Sequence, residues 1–483
     1  MRGVHTVEEV RAAEEAVLAR TGRDELMVRA STALARTCAQ LLVTHRGGVY
    51  GSSVVVLVGT GNNGGDALFA GAQLAKRGAH VRVVPVGAGM HEAGSRAATR
   101  AGCRTLQRSD AQDAIDTADL VIDGMLGIGG KGGLRDPAIT LAEWATASDA
   151  LVVACDLPSG VDADTGQAGD DAVWADVTVT FGLMKPGLLL QPGAMHAGMV
   201  ELADIGLTSD VVVPSITCLE ARDVSSLLPH PTPLSHKYSQ GVTGIAAGSE
   251  KYRGAAVLAV SGALHAKGGL VRYVGPAADA VVNAWPAALV SRGSVTDAGR
   301  VQAWGVGPGL GTDEHARRRL REVVDQPVPV VVDADGLTLL ADFADVLKSR
   351  EEATVLTPHA VEFARLAPDL DIAPDPLTAV RTLAARLGCT VLLKGATTIV
   401  ADPDGQVRLN QTGTPWLATG GTGDVLTGVI AALLSDGLPP LDAASLGAFV
   451  HGVAGRLAAS GAPTTADAVA LALPRAIAAL TRP

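Results

Sequence analysis

Near its end the chain reads TGGTGDVLTGVIAALL, from Thr419 to Leu434. Three glycines and one carboxylate stand directly in front of a long apolar stretch. A helix start needs only one capping residue, so this much glycine serves something else. Glycine lets a backbone approach a ligand closely, and the unpaired N–H groups of a first helical turn favour negative charge. Phosphate is held that way. Asp424 beside such a site would be repelled by the phosphate unless it has a task of its own.

Four other stretches of the second half end in groups that suit phosphates: GVGPGLG (305–311), VVDADGL (331–337), LTPHAVEF (356–363) and LLKGATTIV (392–400), followed by NQTGTPWLATGGTGD (410–424). Singly, each is an ordinary turn. Together and in this order they point to a nucleotide. Lys394 and the hydroxyls of Thr397 and Thr398 offer cationic and hydrogen-bonding groups to its phosphates, the alternative for Lys394 being a strand-end lysine facing solvent. His359 serves either the site or as a cap in a Thr-Pro turn.

The first half carries a second set. VVVLVGTGNNGGDALFAGAQLAKRG reads as a strand, a glycine-rich turn with Asn62, Asn63 and Asp66, and an amphipathic helix. A plain βα turn does not need so long a run of such residues, and the run does not match G-x-G-x-x-G. Two further strand ends carry polar groups, VIDGMLGIGGKGGLRDP with Asp123 and VVACDLPSGVDADTG with Asp156 and Ser159. In a parallel sheet the strand C-termini share one edge, so Asn63, Asp123 and Ser159 are expected to converge. Their oxygens suit alkali or alkaline-earth cations, and one carboxylate among neutral partners suits a monovalent ion best. Helix capping is the alternative for Asp123 and Asp156.

Such residues need a scaffold. Short β-branched runs alternate with Ala-rich stretches along the whole chain, the pattern of βαβ units around a largely parallel sheet with helices on both faces. The alternation lapses in TSDVVVPSITCLEARDVSSLLPHPTPLSHK, which places a junction near Pro214 and two α/β domains at 1–213 and 214–483. The halves share no alignable repeat. At 483 residues, 47% hydrophobic and 18% charged, the chain is expected to be globular.

A net charge of −11 and the lack of basic runs argue against nucleic acid. Five scattered cysteines without a C-x-x-C pair read as reduced thiols. The opening MRGVHTVEEVRAAEEAV has charges where a signal peptide needs an apolar centre, and no apolar run approaches membrane-spanning length. The expectation is a cytoplasmic protein with small-molecule partners and no membrane association.

GNNGGD, DGMLGIGGKGG, DLPSGVDADTG and FGLMKPG together resemble the NAD(P)H-hydrate epimerase domain over nearly all of 1–213. The resemblance implies a Rossmann-like fold that interconverts the R and S hydrates of NADH or NADPH. It implies potassium on Asn63, Asp123 and Ser159. The hydrated nucleotide would lie on Asn62, Asn63, Gly64, Gly65 and Asp66, on Gly127, Ile128, Gly129, Gly130, Lys131, Gly132 and Gly133, and on Asp156. Epimerisation at a hydroxyl-bearing carbon next to a ring nitrogen needs an acid/base group. Asp156 is the first candidate and Lys185 the second, against an ordinary surface lysine. Two residues depart from the pattern: Ala67 stands where glycine is expected and Ile128 where threonine is.

The second-half motifs resemble the ribokinase-like fold in its ADP/ATP-dependent NAD(P)H-hydrate dehydratase branch, over about 218–483. In that fold the glycine-rich helix start is an anion hole and its Asp is the base. Asp424 would take the proton of the attacking hydroxyl, with Gly421, Thr422 and Gly423 at the transferred phosphoryl group. By family position Ala256, Gly307, His359 and Asp424 would contact the hydrate, and Lys394, Gly395, Ala396, Thr397, Thr398 and Gly423 the ADP or ATP with its magnesium. Asp333 and Asp335 support magnesium or phosphate through water, or serve a turn. Family precedent suggests a homo-oligomer. A hydroxymethylpyrimidine- or sugar-type kinase and an inactive nucleotide-binding regulator are the rival readings. The fusion to an epimerase-like half disfavours the first, and the intact Asp156, Lys394, Asp424 and NNGGD disfavour the second.

Overall fold

The computed structural model describes residues 1–21, 23–130, 132–207, 213–238 and 240–481. The chain forms two compact units, Gly3–Pro214 and Ser215–Pro483, the latter joined by Met1–Arg2. Those two residues group with the second unit because the N-terminal ammonium pairs with Asp223 at 2.7 Å and Arg2 with Glu220 at 3.2 Å.

In the first unit seven parallel strands lie in the order Arg104–Thr105, His80–Pro85, Ser53–Val58, Leu120–Gly124, Leu151–Cys155, Val177–Phe181, Met199–Ala203. The chain enters this sheet at the inner strand Ser53–Val58, winds outward in one direction, then crosses back to Leu120–Gly124 and continues in the other. In such open sheets a ligand cleft is expected where the winding reverses. The strand SVVVLV is buried along almost its whole length, as a strand covered on both faces must be, and it delivers the helix Asn62–Lys76 to that cleft.

The sheet of the second unit runs Ile216–Cys218, Val407–Asn410, Thr398–Ala401, Thr390–Leu393, Thr354–Leu356, Val330–Val332, Ala303–Val306, Val242–Ala246, Leu270–Val274, Leu289–Ser291. Thr398–Ala401 is antiparallel to both its neighbours. Four residues, Lys394 to Thr397, join it to Thr390–Leu393, enough for a hairpin and far too few for the crossover a parallel pair requires. The strand ends that carry Gly307, Asp333, Thr357 and Lys394 lie side by side.

The apolar stretch after Gly423 is the helix Thr422–Ser435, buried over nearly its whole length. It packs backbone to backbone on the helix Arg253–Ala266. A Cβ on Gly428 would lie 2.0 Å from the Ala259 carbonyl, and one on Gly262 would lie 2.1 Å from that of Val425. Alanine is the better helix former by about 1 kcal/mol, but the clash is with backbone that cannot swing aside. Gly428→Ala is therefore expected to destabilise the second unit by about 1–3 kcal/mol, read as a lower urea midpoint. A raised midpoint would mean the two helices stand further apart. Among the described residues no helix is long and apolar enough to cross a membrane.

Candidate functional site

In the second unit the polar groups gather on Asp333, which follows the strand Val330–Val332 and is 1% exposed. Its Oδ1 accepts from Lys394 Nζ at 2.6 Å and its Oδ2 from Thr427 Oγ1 at 2.8 Å. The next residue, Ala334, has φ +52°, a strained conformation of the kind that persists where surrounding structure over-determines it. Lys394 also lies 3.5 Å from Oε2 of the buried Glu362. Burial alone would lower the Lys394 pKa, but the carboxylates of Asp333 and Glu362 outweigh it and raise it. The lysine is a fixed positive charge.

Two glycines admit backbone to this cluster. A Cβ on Gly307 would lie 1.9 Å from the Asp333 carbonyl, and one on Gly423 would lie 3.6 Å from both Asp333 Oδ2 and Lys394 Nζ. Gly423 thus places the first turn of Thr422–Ser435 against the lysine and carboxylate. The turn begins at Gly421, whose φ of +93° favours glycine, and Thr422 Oγ1 donates to the Leu417 carbonyl at 2.8 Å to hold the preceding loop. Asp424 projects from that turn without a hydrogen bond among the described residues. Burial, then the nearby charge of Asp333, push its pKa up to about 7, against the opposing pull of Lys394. Such a carboxyl is tuned for accepting a proton at neutral pH.

Gly307, Lys394, Gly423 and Asp424 are therefore brought together. Gly395 and Ala396 lie exposed in the turn beyond Lys394, and Thr397 and Thr398 lead back into the sheet. His359 takes the capping role: its Nδ1 accepts from the N–H of Glu362 at 3.3 Å, its own N–H donates to Glu362 Oε2 at 2.8 Å, and Nε2 of its half-exposed ring lies 3.4 Å from Glu362 Oε1. Ala256 does not join the group. It is wholly buried in Arg253–Ala266, so no surface of it faces a ligand. Asp335 Oδ2 accepts from the Gly311 N–H at 2.8 Å, fixing the GPGLG loop. Glu362 and Thr427 were missed from the sequence, although a Glu three residues after His359 is the capping-box spacing.

In the first unit Asn63, Asp123 and Ser159 meet around the backbone of Leu126. Asn63 Nδ2 donates to the Leu126 carbonyl at 2.9 Å, and the Leu126 N–H donates to Ser159 Oγ at 2.8 Å. Asp123 is fully buried, its Oδ1 2.7 Å from Ser159 Oγ and its Oδ2 2.7 Å from the Ser159 N–H. It accepts from a turn rather than capping a helix. Burial pushes its pKa up to about 6 although those hydrogen bonds pull it down. Neutral donors alone do not compensate the carboxylate, and a cation would.

Asp156 has φ +68° and Lys185 is 1% exposed, which overturns the reading of Lys185 as a surface lysine. Lys185 Nζ lies 2.6 Å from Asp156 Oδ1, 3.0 Å from Thr180 Oγ1 and 3.0 Å from the Phe181 carbonyl. All three ammonium protons are used inside the protein, so Lys185 positions Asp156 and has none to give a ligand.

Gly64 and Gly65 lie close against the Gly59 carbonyl and the His91 ring, and Gly127 against the Asn63 side chain. Gly127, Gly130, Gly132 and Gly133 line an open cavity of about 570 Å³ with Pro158 and Asp162. Gly129 faces the Arg11 guanidinium, Ile128 packs partly into the core, and Lys131 lies outside the described residues. Ala67 has its methyl against Gly124, where a second Cβ would lie at 2.4 Å, so the glycine at 124 makes room for it. The N-terminal helix Val7–Thr21 adds Arg11 and Glu14, which the sequence reading did not single out. Burial, then the charge of Asp156, raises the Glu14 pKa.

The family profile for NAD(P)H-hydrate dehydratase matches residues 243–475, and that for the YjeF-related protein N-terminus matches 23–187. A bifunctional NAD(P)H-hydrate repair enzyme of Mycobacterium tuberculosis is 46% identical over 448 residues, 92% of this chain and 92% of its own length. This chain belongs to that family. The repair enzyme of Mycobacterium leprae is 45% identical over 488 residues, 99% of this chain and all of its own length. Among solved structures, an ADP/ATP-dependent NAD(P)H-hydrate dehydratase of Bacillus subtilis, co-crystallised with ATP and Mg2+, matches with TM-score 0.50 and 28% identity over 55% of this chain and 98% of its own. A ribokinase-like protein of Enterococcus faecalis matches with TM-score 0.51 at 24% identity over 56% and 98%. The fold of the repair enzyme is thus α/β in both units, with a ribokinase-like second unit.

Proposed function

We propose that residues 1–213 interconvert the R and S hydrates of NADH and NADPH, and that residues 214–483 dehydrate the S hydrate to NADH or NADPH at the expense of ADP or ATP. One observation carries the second activity most directly. Asp424, a carboxyl with its pKa pushed up to about 7, stands in the first turn of a buried helix beside a fixed lysine. It accepts the proton of the C6 hydroxyl while that oxygen is phosphorylated, and the N–H groups of Gly421 to Gly423 hold the transferred group. Phosphate then leaves with help from the ring nitrogen. Lys394, Gly395, Ala396, Thr397 and Thr398 face the adenine nucleotide, and Gly307 and His359 the hydrate.

The like charges of Asp333 and Asp335 around Asp424 fit a divalent cation, which would neutralise them and the nucleotide phosphates. Both Asp333 oxygens are engaged by Lys394 and Thr427, so magnesium would be held through water. In the first unit the buried carboxylate of Asp123, with Ser159, Asn63 and the Leu126 carbonyl, fits potassium: all are hard oxygen donors with one negative charge. Asp156 is the acid/base group there, held by Lys185. The enzyme acts in the cytoplasm as a homo-oligomer on small molecules.

Mixed R and S hydrates with ADP or ATP, followed by NADH absorbance, test both activities. Complete conversion is expected. Recovery of only the S fraction would show an inactive first unit, and no recovery with either nucleotide would favour a different kinase substrate. The kcat/KM for dehydration is expected to rise tenfold per pH unit up to about pH 7 and then level, because the base must be ionised in the free enzyme. A profile flat from pH 5 to 8 would place the base elsewhere.

A further inference from the structure

Asp66 is the fifth residue of the helix Asn62–Lys76, 9% exposed, and its Oδ1 is buried with no hydrogen-bond partner. Cys155 Sγ lies 3.6 Å from the Asn63 carbonyl, which sets the end of the strand Leu151–Cys155, and hence Asp156, against the start of this helix. Lys185, the buried cation paired with Asp156, spends its three donors on Asp156, Thr180 and Phe181 and leaves none for Asp66. Two carboxyls thus share one site in different surroundings, one paired with an ammonium and one unpaired.

Resting on the epimerase reading, we propose that Asp66 is a proton donor to the C6 hydroxyl of the hydrate, acting with Asp156 as the matching proton acceptor. Its surroundings favour the neutral acid: burial first, then the charges of Asp156 and Glu14, push its pKa well above the usual carboxylate range. Around this group stand Asp156, Glu14 with its neighbour Arg11, Lys185, the buried thiol of Cys155, and the His91 ring packed on Gly65. Pairs of carboxyls whose environments hold them in opposite protonation states are how acid and base roles are divided.

The step balances without any further reagent. Asp66 gives its proton to the C6 oxygen, the C6–O bond breaks, and water departs while the ring-nitrogen lone pair forms a C=N bond. A water then adds to C6 from the other face and loses its proton to the Asp156 carboxylate. Asp66 is left ionised and Asp156 protonated, which is the state that runs the reaction from the opposite epimer, and proton return between the two restores the start.

The test follows R to S interconversion by proton NMR in the wild type, Asp66→Asn and Asp66→Glu. Asparagine keeps the size and a hydrogen-bond donor but has no transferable proton. A loss of at least tenfold in kcat with KM changed less than threefold is expected for Asp66→Asn, with partial recovery in Asp66→Glu. In the wild type the rate is expected to fall at alkaline pH as Asp66 ionises, and Asp66→Asn is expected to lose that limb. Circular dichroism and the melting temperature show whether each variant is folded; if Asp66→Asn is not, the alkaline limb of wild type and Asp66→Glu decides. Asp66→Asn retaining over half of the wild-type rate or keeping the alkaline limb, or a wild type and Asp66→Glu that both show no alkaline limb, would overturn the proposal. A wild type that does not epimerise at all would instead overturn the epimerase reading beneath it.

Discussion

Asp424→Ala is expected to lower dehydration of the S hydrate by about 10²–10⁴-fold, the range of a positioned general base, while the second unit stays folded. The carboxyl has no hydrogen bond among the described residues to lose, so its removal leaves no buried partner unsatisfied. The hydrogen bonds and ion pairs of Lys394, Asp333, Glu362 and Thr427 do not include Asp424 and stay in place without it. The loss should fall mainly on kcat, because the proton is transferred only on the way to the transition state. A variant that kept a tenth or more of the wild-type rate would remove Asp424 from the role of base.

Stability should move the other way. The folded pKa of about 7 lies above the unfolded value of about 3.9, so the folded state holds the proton more tightly. The stabilisation from that proton is complete below about pH 4 and is lost as pH rises through about 7. At pH 8 the protein therefore carries a buried negative charge at a cost on the order of 2–4 kcal/mol, which Asp424→Asn relieves. Asp424→Asn is expected to melt higher than wild type at pH 8 and about level with it at pH 4. An active site that gains stability when its catalytic group is neutralised is the usual trade between function and stability.

Much of both sites was legible because open parallel sheets put strand C-termini on one edge. Asn63, Asp123 and Ser159 stand at or just beyond the C-terminal ends of three different strands, and the topology alone predicts that they meet. The glycines before Asp424 were legible for a similar reason: a backbone that must touch something cannot carry side chains. What escaped was pairing between distant residues. Lys185 in LMKPG has no local sign of burial, because Asp156 is 29 positions earlier and the two meet only when adjacent strands are laid down. Arg11 and Glu14 sit in a charged helix that reads as solvated until its start is tied down by the bond from the Val7 N–H to Asp164 Oδ1, at 2.7 Å. Ala256 was assigned by position in a motif, and position says nothing about whether a residue faces inward.

Lys185→Met tests the pairing that the sequence hid. Methionine is close in length and apolar, so the loss of packing is small, but the Asp156 carboxylate is left in a buried site without its ammonium. Removing one partner of a buried pair costs about 3–5 kcal/mol, whereas an exposed lysine would cost within about 0.5 kcal/mol. The first unit is therefore expected to unfold at markedly lower urea concentration, read by far-UV circular dichroism at pH 7. The double variant Lys185→Met with Asp156→Leu is expected to recover most of that loss, since neither charge then remains, and to recover no epimerase activity, since the proton acceptor is gone. A structural pair would give the same stabilities and indifferent epimerisation, so the two readouts together separate a lysine that merely fills the core from one that holds a catalytic carboxylate in place.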